Sequence, residues 1–323
     1  MKKIHIGVFV FLMMVTLSAF ASPGKLERYS SPDGYRYEVY TPKKVADRPG
    51  LILMLHGCTQ TPQQMLTQTR MAKEAERKGF YLLLPQQTSA NNTFSCWNWF
   101  KPENQARRPS GDSAFILSTL DKVIQEKNID RTQVAIMGFS AGAAMTSNLV
   151  SCFPELFKAA LIHSGLEYAA AQTMGESFQI MKNGPSRPVE KTVEMALDCA
   201  GSNQNIVPLY VVHGASDNIV LPVNFQRITK QFELMDAKIA ASLGGRGELT
   251  REESTVSGAQ LSAELTNASI DGRSVVKSFL VQGMQHAWSG GDSAVSYAEP
   301  RGIAISTLFA DEFFSADSVN TNR

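Results

Sequence analysis

Apolar residues in this chain gather into short runs separated by longer amphipathic and polar stretches, the alternation expected when strands and helices take turns. Leu51-Ile52-Leu53-Met54-Leu55 and Phe80 to Leu84 carry no alternating polar position and predict strands covered on both faces. Val134 to Met137, Ala159 to His163, Val207 to Val212 and Ser274 to Val281 read as further strands. Tyr35 to Tyr40 alternates with period two, the pattern of a half-exposed antiparallel edge strand. Between these runs, Thr61-Pro62 reads as an N-cap with proline at the first helical position, opening a helix to about Lys78. Helices are also expected over Asp112 to Glu126, in the Ala-rich stretch after Ser140, over Pro222 to Met235, and from Pro300 to Phe314.

Strands alternating with helices predict an α/β protein, with a mainly parallel sheet and helices on both faces. The chain shows no internal repeat and no Pro- or Ser-rich linker, so one domain is expected over 22–323. Two segments break the alternation. Gly165 to Asn205 is expected as an insertion over the active site, and Leu243 to Asp271, polar and with Gly244-Gly245, as an exposed excursion. Gln86 to Ser110 is a long polar loop with an aromatic knot at Phe94, Trp97, Trp99 and Phe100, which predicts a functional, ordered loop.

At the N-terminus, Lys2 and Lys3 precede an apolar run from Ile6 to Leu17, and Ala19-Phe20-Ala21 supplies the small residues of a cleavage site. Residues 1–21 therefore read as a signal peptide, and the mature protein as extracellular or periplasmic. Removing them takes away Lys2 and Lys3 and no acid, leaving 29 basic against 30 acidic side chains. This near-neutral balance, with no basic stripe and no amphipathic anchor, argues against nucleic acid and against a stable membrane surface as partners. Nor does the sequence imply a protein partner. In an exported chain the four cysteines favour disulfides; without C-x-x-C spacing, zinc or any other metal is not expected. Cys58 and Cys96 follow strands that should be neighbours at one sheet edge and are the favoured pair. Cys152 and Cys199 remain by elimination, with two unpaired buried thiols as the alternative.

Gly138-Phe139-Ser140-Ala141-Gly142 sits where the Val134 to Met137 strand meets a helix, and predicts the strained nucleophile elbow of an α/β-hydrolase fold. The tight turn lifts the Ser140 hydroxyl clear of the sheet, and the Ala141 N–H at the helix start can meet a developing oxyanion. His56-Gly57-Cys58 follows its strand at the place from which this fold draws a second donor, the Cys58 N–H. In chain order the acid should come next and the base last. Asp217, directly after a buried strand, and His286, after the last strand, fit those roles, with Asp198 as the alternative acid. His163 and His213 read as structural. This chemistry needs no cofactor. Trp97, Asn98, Trp99 and Trp288 fall in two segments that should border the triad, so they are expected to wall the substrate pocket, Asn98 offering a hydrogen bond.

Taken in order, Leu55 to Gln60, Cys96 to Phe100, Gly138 to Gly142, His213-Gly214 with Asp217, and His286-Ala287-Trp288 resemble the polyhydroxybutyrate depolymerase family of extracellular esterases, relatives of feruloyl and acetylxylan esterases. The resemblance implies a secreted serine esterase with the triad Ser140, Asp217 and His286 and an oxyanion hole at Cys58 and Ala141. It points to hydroxybutyrate-type polyesters or oligomers, with a feruloyl- or acetylxylan-type carbohydrate ester as the alternative. Depolymerases acting on solid polymer commonly carry a linker and a separate binding domain after the catalytic domain. This sequence ends soon after its last expected helix, which directs the expectation to soluble esters and short oligomers. A peptidase, a thioesterase and a non-catalytic binding protein are the other functions such a scaffold supports.

Overall fold

The computed structural model describes residues 24–31 and 34–314; the expected signal peptide lies outside the described residues. In chain order the strands and helices are β1 (Lys25–Ser30), β2 (Arg36–Thr41), β3 (Leu51–Leu55), α1 (Pro62–Thr69), α2 (Met71–Lys78), β4 (Tyr81–Gln86), α3 (Gly111–Glu126), β5 (Val134–Phe139), α4 (Ala141–Cys152), β6 (Ala159–His163), α5 (Met174–Asn183), α6 (Val189–Ala200), β7 (Leu209–Gly214), α7 (Val223–Ser242), β8 (Leu249–Ser257), β9 (Ser262–Ile270), β10 (Arg273–Val281), β11 (Trp288–Ser289), β12 (Ala298–Glu299) and α8 (Ile305–Phe313). Ten strands form one sheet in the order β1-β2-β4-β3-β5-β6-β7-β10-β9-β8. Its centre, from β4 to β10, is parallel, and the antiparallel pairs β1-β2 and β9-β8 close the two edges. This is the α/β-hydrolase fold.

The absence of alternation in β3 has its physical counterpart in two cores. Leu51, Leu53 and Leu55 face one core with residues of α3, α4, α6 and α7, while Ile52 and Met54 face the other with α1, α2 and α8. All five side chains are fully buried, and each such burial contributes on the order of 1.5–3 kcal/mol.

Several elements differ from expectation. The first helix is two, broken at Arg70, whose backbone is left-handed at φ 55°. The Thr69 hydroxyl accepts from the Met71 N–H and donates to Met65 O, competing with the helical ladder at the break. At its start, the Thr61 and Gln64 side chains form a reciprocal capping box. Tyr35 to Tyr40 is not an edge: β1 pairs along it, and four consecutive residues of β2 are buried. Leu243 to Asp271, expected as an exposed excursion, forms the β8-β9 hairpin at the sheet edge. β8 is exposed along almost its whole length, so no apolar face marks it in sequence. Pro300 lies in a turn before α8, not at its first position.

Within Gly165 to Asn205, α6 packs on α4 and α7, and Cys152–Cys199 ties it to the far end of α4 from Ser140. The C-terminal end of α5 meets the chain just beyond Asp217, where the Leu221 N–H donates to Met181 O. Glu167 is buried between Arg227, at 2.8 Å, and Arg187, and so fastens this region to α7.

Candidate active site

Ser140 stands between β5 and α4 with φ 55° and ψ −118°, a conformation that L-residues rarely adopt. Two glycines make the turn feasible. A Cβ on Gly138 would lie 2.2 Å from Gly142 O, so only glycine fits there. The backbone of Ser140 is held on both sides: its N–H donates to His163 O at 3.0 Å and its carbonyl accepts from Ala144 N at 3.0 Å.

β7 delivers Asp217. Gly214 at the strand end is pressed against the turn carrying His286, where a Cβ would meet Met284 O at 2.3 Å and Gln285 O at 2.5 Å. The Ser216 N–H also donates to Met284 O. This contact brings the two loops together, and Asp217 Oδ2 lies 2.7 Å from His286 Nδ1. Asp217 Oδ1 accepts from the N–H groups of Ile219 and Val220. Burial alone would raise the Asp217 pKa; the hydrogen bond from His286 and the neighbouring imidazoles outweigh it and hold the carboxyl below its ordinary value. Ionised Asp217 fixes the proton of His286 on Nδ1 and leaves Nε2 as an acceptor. The Phe139 ring, next to Ser140 in the chain, lies 4.9 Å from the His286 ring.

The β3-α1 loop adjoins the elbow. A Cβ on Gly57 would lie 3.0 Å from Phe139 and 3.4 Å from Ser140 Cβ. Among the described residues, neither the Cys58 nor the Ala141 N–H has a hydrogen-bond acceptor. Four contacts hold the loop. The Gly57 N–H donates to Gln60 Oε1, the Thr59 N–H donates to Phe94 O, Cys58 is bonded to Cys96, and buried His56 bridges Gly57 O and the Gln87 N–H. Burial lowers the His56 pKa to about 4, so the ring is neutral: Nδ1–H donates and Nε2 accepts. His163 is likewise shifted down by burial and accepts from the Ser289 N–H, while His213 bonds Val220 O at 2.7 Å and lies 3.4 Å from Asp217 Oδ2.

The family model for "Esterase PHB depolymerase" matches residues 35–256, more than half the chain. The chain belongs to that family. The matched span includes Ser140 and Asp217, and His286 lies beyond it. Poly(3-hydroxyalkanoate) depolymerase C of Paucimonas lemoignei is 29% identical over 236 residues, 72% of this chain and 56% of the relative, so the chain spans little over half of that protein's length. Feruloyl esterase B of Neurospora crassa is 29% identical over 212 residues, 63% of this chain and 70% of the relative. Among solved structures, the acetyl xylan esterase from Aspergillus awamori superposes with a TM-score of 0.66 at 21% identity, covering 81% of this chain and 94% of that one, a likeness of fold.

In this member of the esterase family the tryptophans do not wall a pocket. Trp97 and Trp288 are fully buried and Trp99 nearly so. Trp288 stacks on His163 at 4.8 Å and donates from its indole to Ser306 Oγ, while Trp97 packs 5.3 Å from His56. Both brace the histidines behind the site, because large rings gain most from full burial. Asn98 is buried too: its backbone and side-chain N–H groups both donate to Asp112 Oδ2, which also accepts from Gln87. Burial raises the Asp112 pKa against those three donors, and the residue acts as the anchor of the aromatic loop. Sequence reasoning missed Asp112 and His56 in these roles; position at a helix start and at a strand end was the available signal. It also missed Tyr297, a residue 42% exposed whose ring lies 6.0 Å from that of His286.

Proposed function

We propose that the protein is a secreted serine esterase that hydrolyses carboxylic esters through an acyl-enzyme. The observation that carries this reading is the 2.7 Å contact between Asp217 and His286, assembled by two strand ends beside the strained elbow of Ser140. Ser140 Oγ attacks the ester carbonyl while His286 Nε2 takes its proton, and the same imidazolium returns that proton to the leaving alcohol. Asp217 keeps the ring oriented and offsets its charge. The N–H groups of Cys58 and Ala141 stabilise the carbonyl oxygen as it becomes negative. Water, deprotonated by His286, then releases the acid and restores Ser140. Two disulfides support an oxidising compartment, in keeping with the expected signal peptide.

For the substrate, the depolymerase relative supports esters or oligomers of the hydroxybutyrate type. The feruloyl and acetylxylan esterase relatives support a carbohydrate-ester substrate of the feruloyl or acetylxylan type instead. The test of the esterase reading is Ser140→Ala. With circular dichroism and melting unchanged, hydrolysis of nitrophenyl acetate should drop on the order of a millionfold. A folded variant that kept a few per cent of activity would exclude Ser140 as nucleophile, and a wild type cleaving only an aminoacyl anilide would make the protein a peptidase.

A further inference from the structure

In the sheet β3 and β10 are separated by β5, β6 and β7, so no ladder joins the loop of Cys58 to the loop of His286. Two buried amides join them instead. The Gly57 N–H donates to Gln60 Oε1 at 2.8 Å, Gln60 Nε2 donates to Gln68 Oε1 at 3.0 Å, and Gln68 Nε2 donates to Tyr297 O at 2.6 Å. That carbonyl also accepts at 2.7 Å from the N–H of Trp288, two residues beyond His286. The ends dictate the direction of the chain. A backbone N–H only donates and a carbonyl oxygen only accepts, so each amide must turn its oxygen toward Gly57 and its nitrogen toward Tyr297. The far side of Gly57 is held as well: His56 Nδ1–H donates to Gly57 O at 2.7 Å. This oxygen and the Cys58 N–H lie on opposite edges of one trans peptide, so fixing the carbonyl aims the N–H.

Gln68 is the centre of this chain and lies on the buried face of α1 with Pro62, Met65 and Thr69. Packing alone would be served there by an apolar side chain, whereas a fully buried amide is costly unless both its polar groups are answered. Both are, and by partners from two different loops of the site. The Gln68 backbone reaches the base loop too: its carbonyl accepts from the Asp292 N–H at 3.1 Å, and a Cβ on Gly291 would lie 2.6 Å from it. We propose that Gln68 is a positioning residue for ester hydrolysis, which holds the loop of the oxyanion donor and the loop of the base in one arrangement about Ser140. The inference rests on the serine esterase reading. Being fully buried, Gln68 touches no reacting atom and acts through Gln60 and the Tyr297 carbonyl. Attack on the ester needs the imidazole and the Cys58 N–H correctly placed at the same moment, and a misplacement near 1 Å at either costs about a hundredfold.

The test replaces Gln68 by methionine, which keeps the length of the side chain and removes donor and acceptor, and likewise Gln60. Kinetics on nitrophenyl acetate are read where melting curves show each variant folded. Gln68→Met should lose about ten- to a hundredfold in kcat with KM within about twofold of the wild type, because acylation and deacylation both pass through the oxyanion. A short alkyl trifluoromethyl ketone reports on the same geometry without turnover: Ser140 Oγ adds to its carbonyl carbon, the hydroxyl proton passes to His286, and the former carbonyl oxygen becomes the bound oxyanion. Its inhibition constant should rise by a factor similar to the fall in kcat. In the double variant the chain is merely broken twice, so Gln60→Met with Gln68→Met should cost about as much as the more damaging single change. If Gln68→Met does not fold, Gln68→Glu is read in its place at about pH 8; it keeps the acceptor toward Gln60 and, ionised, has no donor for Tyr297 O. A kcat within about twofold of the wild type in the variant that folds, an unchanged affinity for the ketone, or losses that multiply in the double variant would overturn the role of Gln68 and leave the esterase reading intact. A wild type that cleaves no ester at all would overturn both.

Discussion

A Cβ placed on Gly142 would stand 2.0 Å from the carbonyl oxygen of Leu55 and 2.6 Å from that of His56. The start of α4 therefore touches the end of β3 backbone to backbone, and this contact sets the spacing between the two segments that carry the proposed oxyanion donors, Cys58 and Ala141. Gly142→Ala must push the helix start away. We expect a stability loss of at least about 2–3 kcal/mol and, because a displacement near 1 Å at a reacting group costs about a hundredfold, a comparable fall in kcat. Denaturant midpoints and ester kinetics on the purified variant check this; a kcat near that of the wild type would show that the contact does not position the elbow.

Asp217→Asn should keep the shape of its loop and favour the wrong tautomer of His286, lowering kcat about ten-thousandfold. Asp198, exposed on α6, provides the control, and Asp198→Asn should behave as the wild type. Steady-state kinetics on both variants decide the acid, and the reverse ranking would assign it to Asp198.

The two disulfides close segments of similar length, with sequence separations of 38 and 47, so each should contribute roughly 4 kcal/mol by constraining the unfolded chain. Their effects on activity should differ. Replacing Cys58 and Cys96 by alanine frees the loop of the proposed oxyanion donor and should lower kcat at temperatures where the variant remains folded. The Cys152, Cys199 double variant, altered at the far end of α4, should lose stability alone. Equal kcat values for the two double variants would separate the first bridge from catalysis.

Stability should fall on acidification from about pH 6.5. The folded pKa of His56 is depressed to about 4, so between that value and the ordinary histidine pKa the unfolded chain binds a proton that the folded one does not. Its contribution is complete above pH 6.5 and disappears as pH drops through that window, a difference of about 3 kcal/mol for this one ring. Burial shifts His163 and His213 in the same direction, which steepens the fall. NMR titration of the His56 ring should show it neutral down to pH near 4, and unfolding free energies that stayed flat between pH 7 and 4 would contradict the assignment.

Much of this fold is legible in the sequence because its requirements are local or periodic. A strand buried on both faces must be apolar throughout, as Leu51 to Leu55 is, and a turn that brings two backbones within contact must be glycine, as at Gly138 and Gly142. The β8-β9 hairpin was not legible, since a solvated strand needs no apolar face and its pairing is satisfied by backbone alone. The tryptophans misled for a related reason: position along the chain puts Trp97 and Trp288 near the strand ends, but composition cannot say whether a ring turns outward or inward.

From its sequence alone, then, this protein is a chain of alternating strands and helices with a serine on a glycine-flanked turn and an acid and a histidine in the order that the α/β-hydrolase fold uses. The tertiary structure alone decides that Asp217 Oδ2 meets His286 Nδ1 at 2.7 Å across 69 residues, that Trp288 stacks behind His163, and that Tyr297 is the ring left beside the site. Identity and local geometry are written residue by residue, whereas the choice of which side chain is buried and which stays in water depends on the shapes of neighbours from distant segments, and close packing settles it only when all of them are in place.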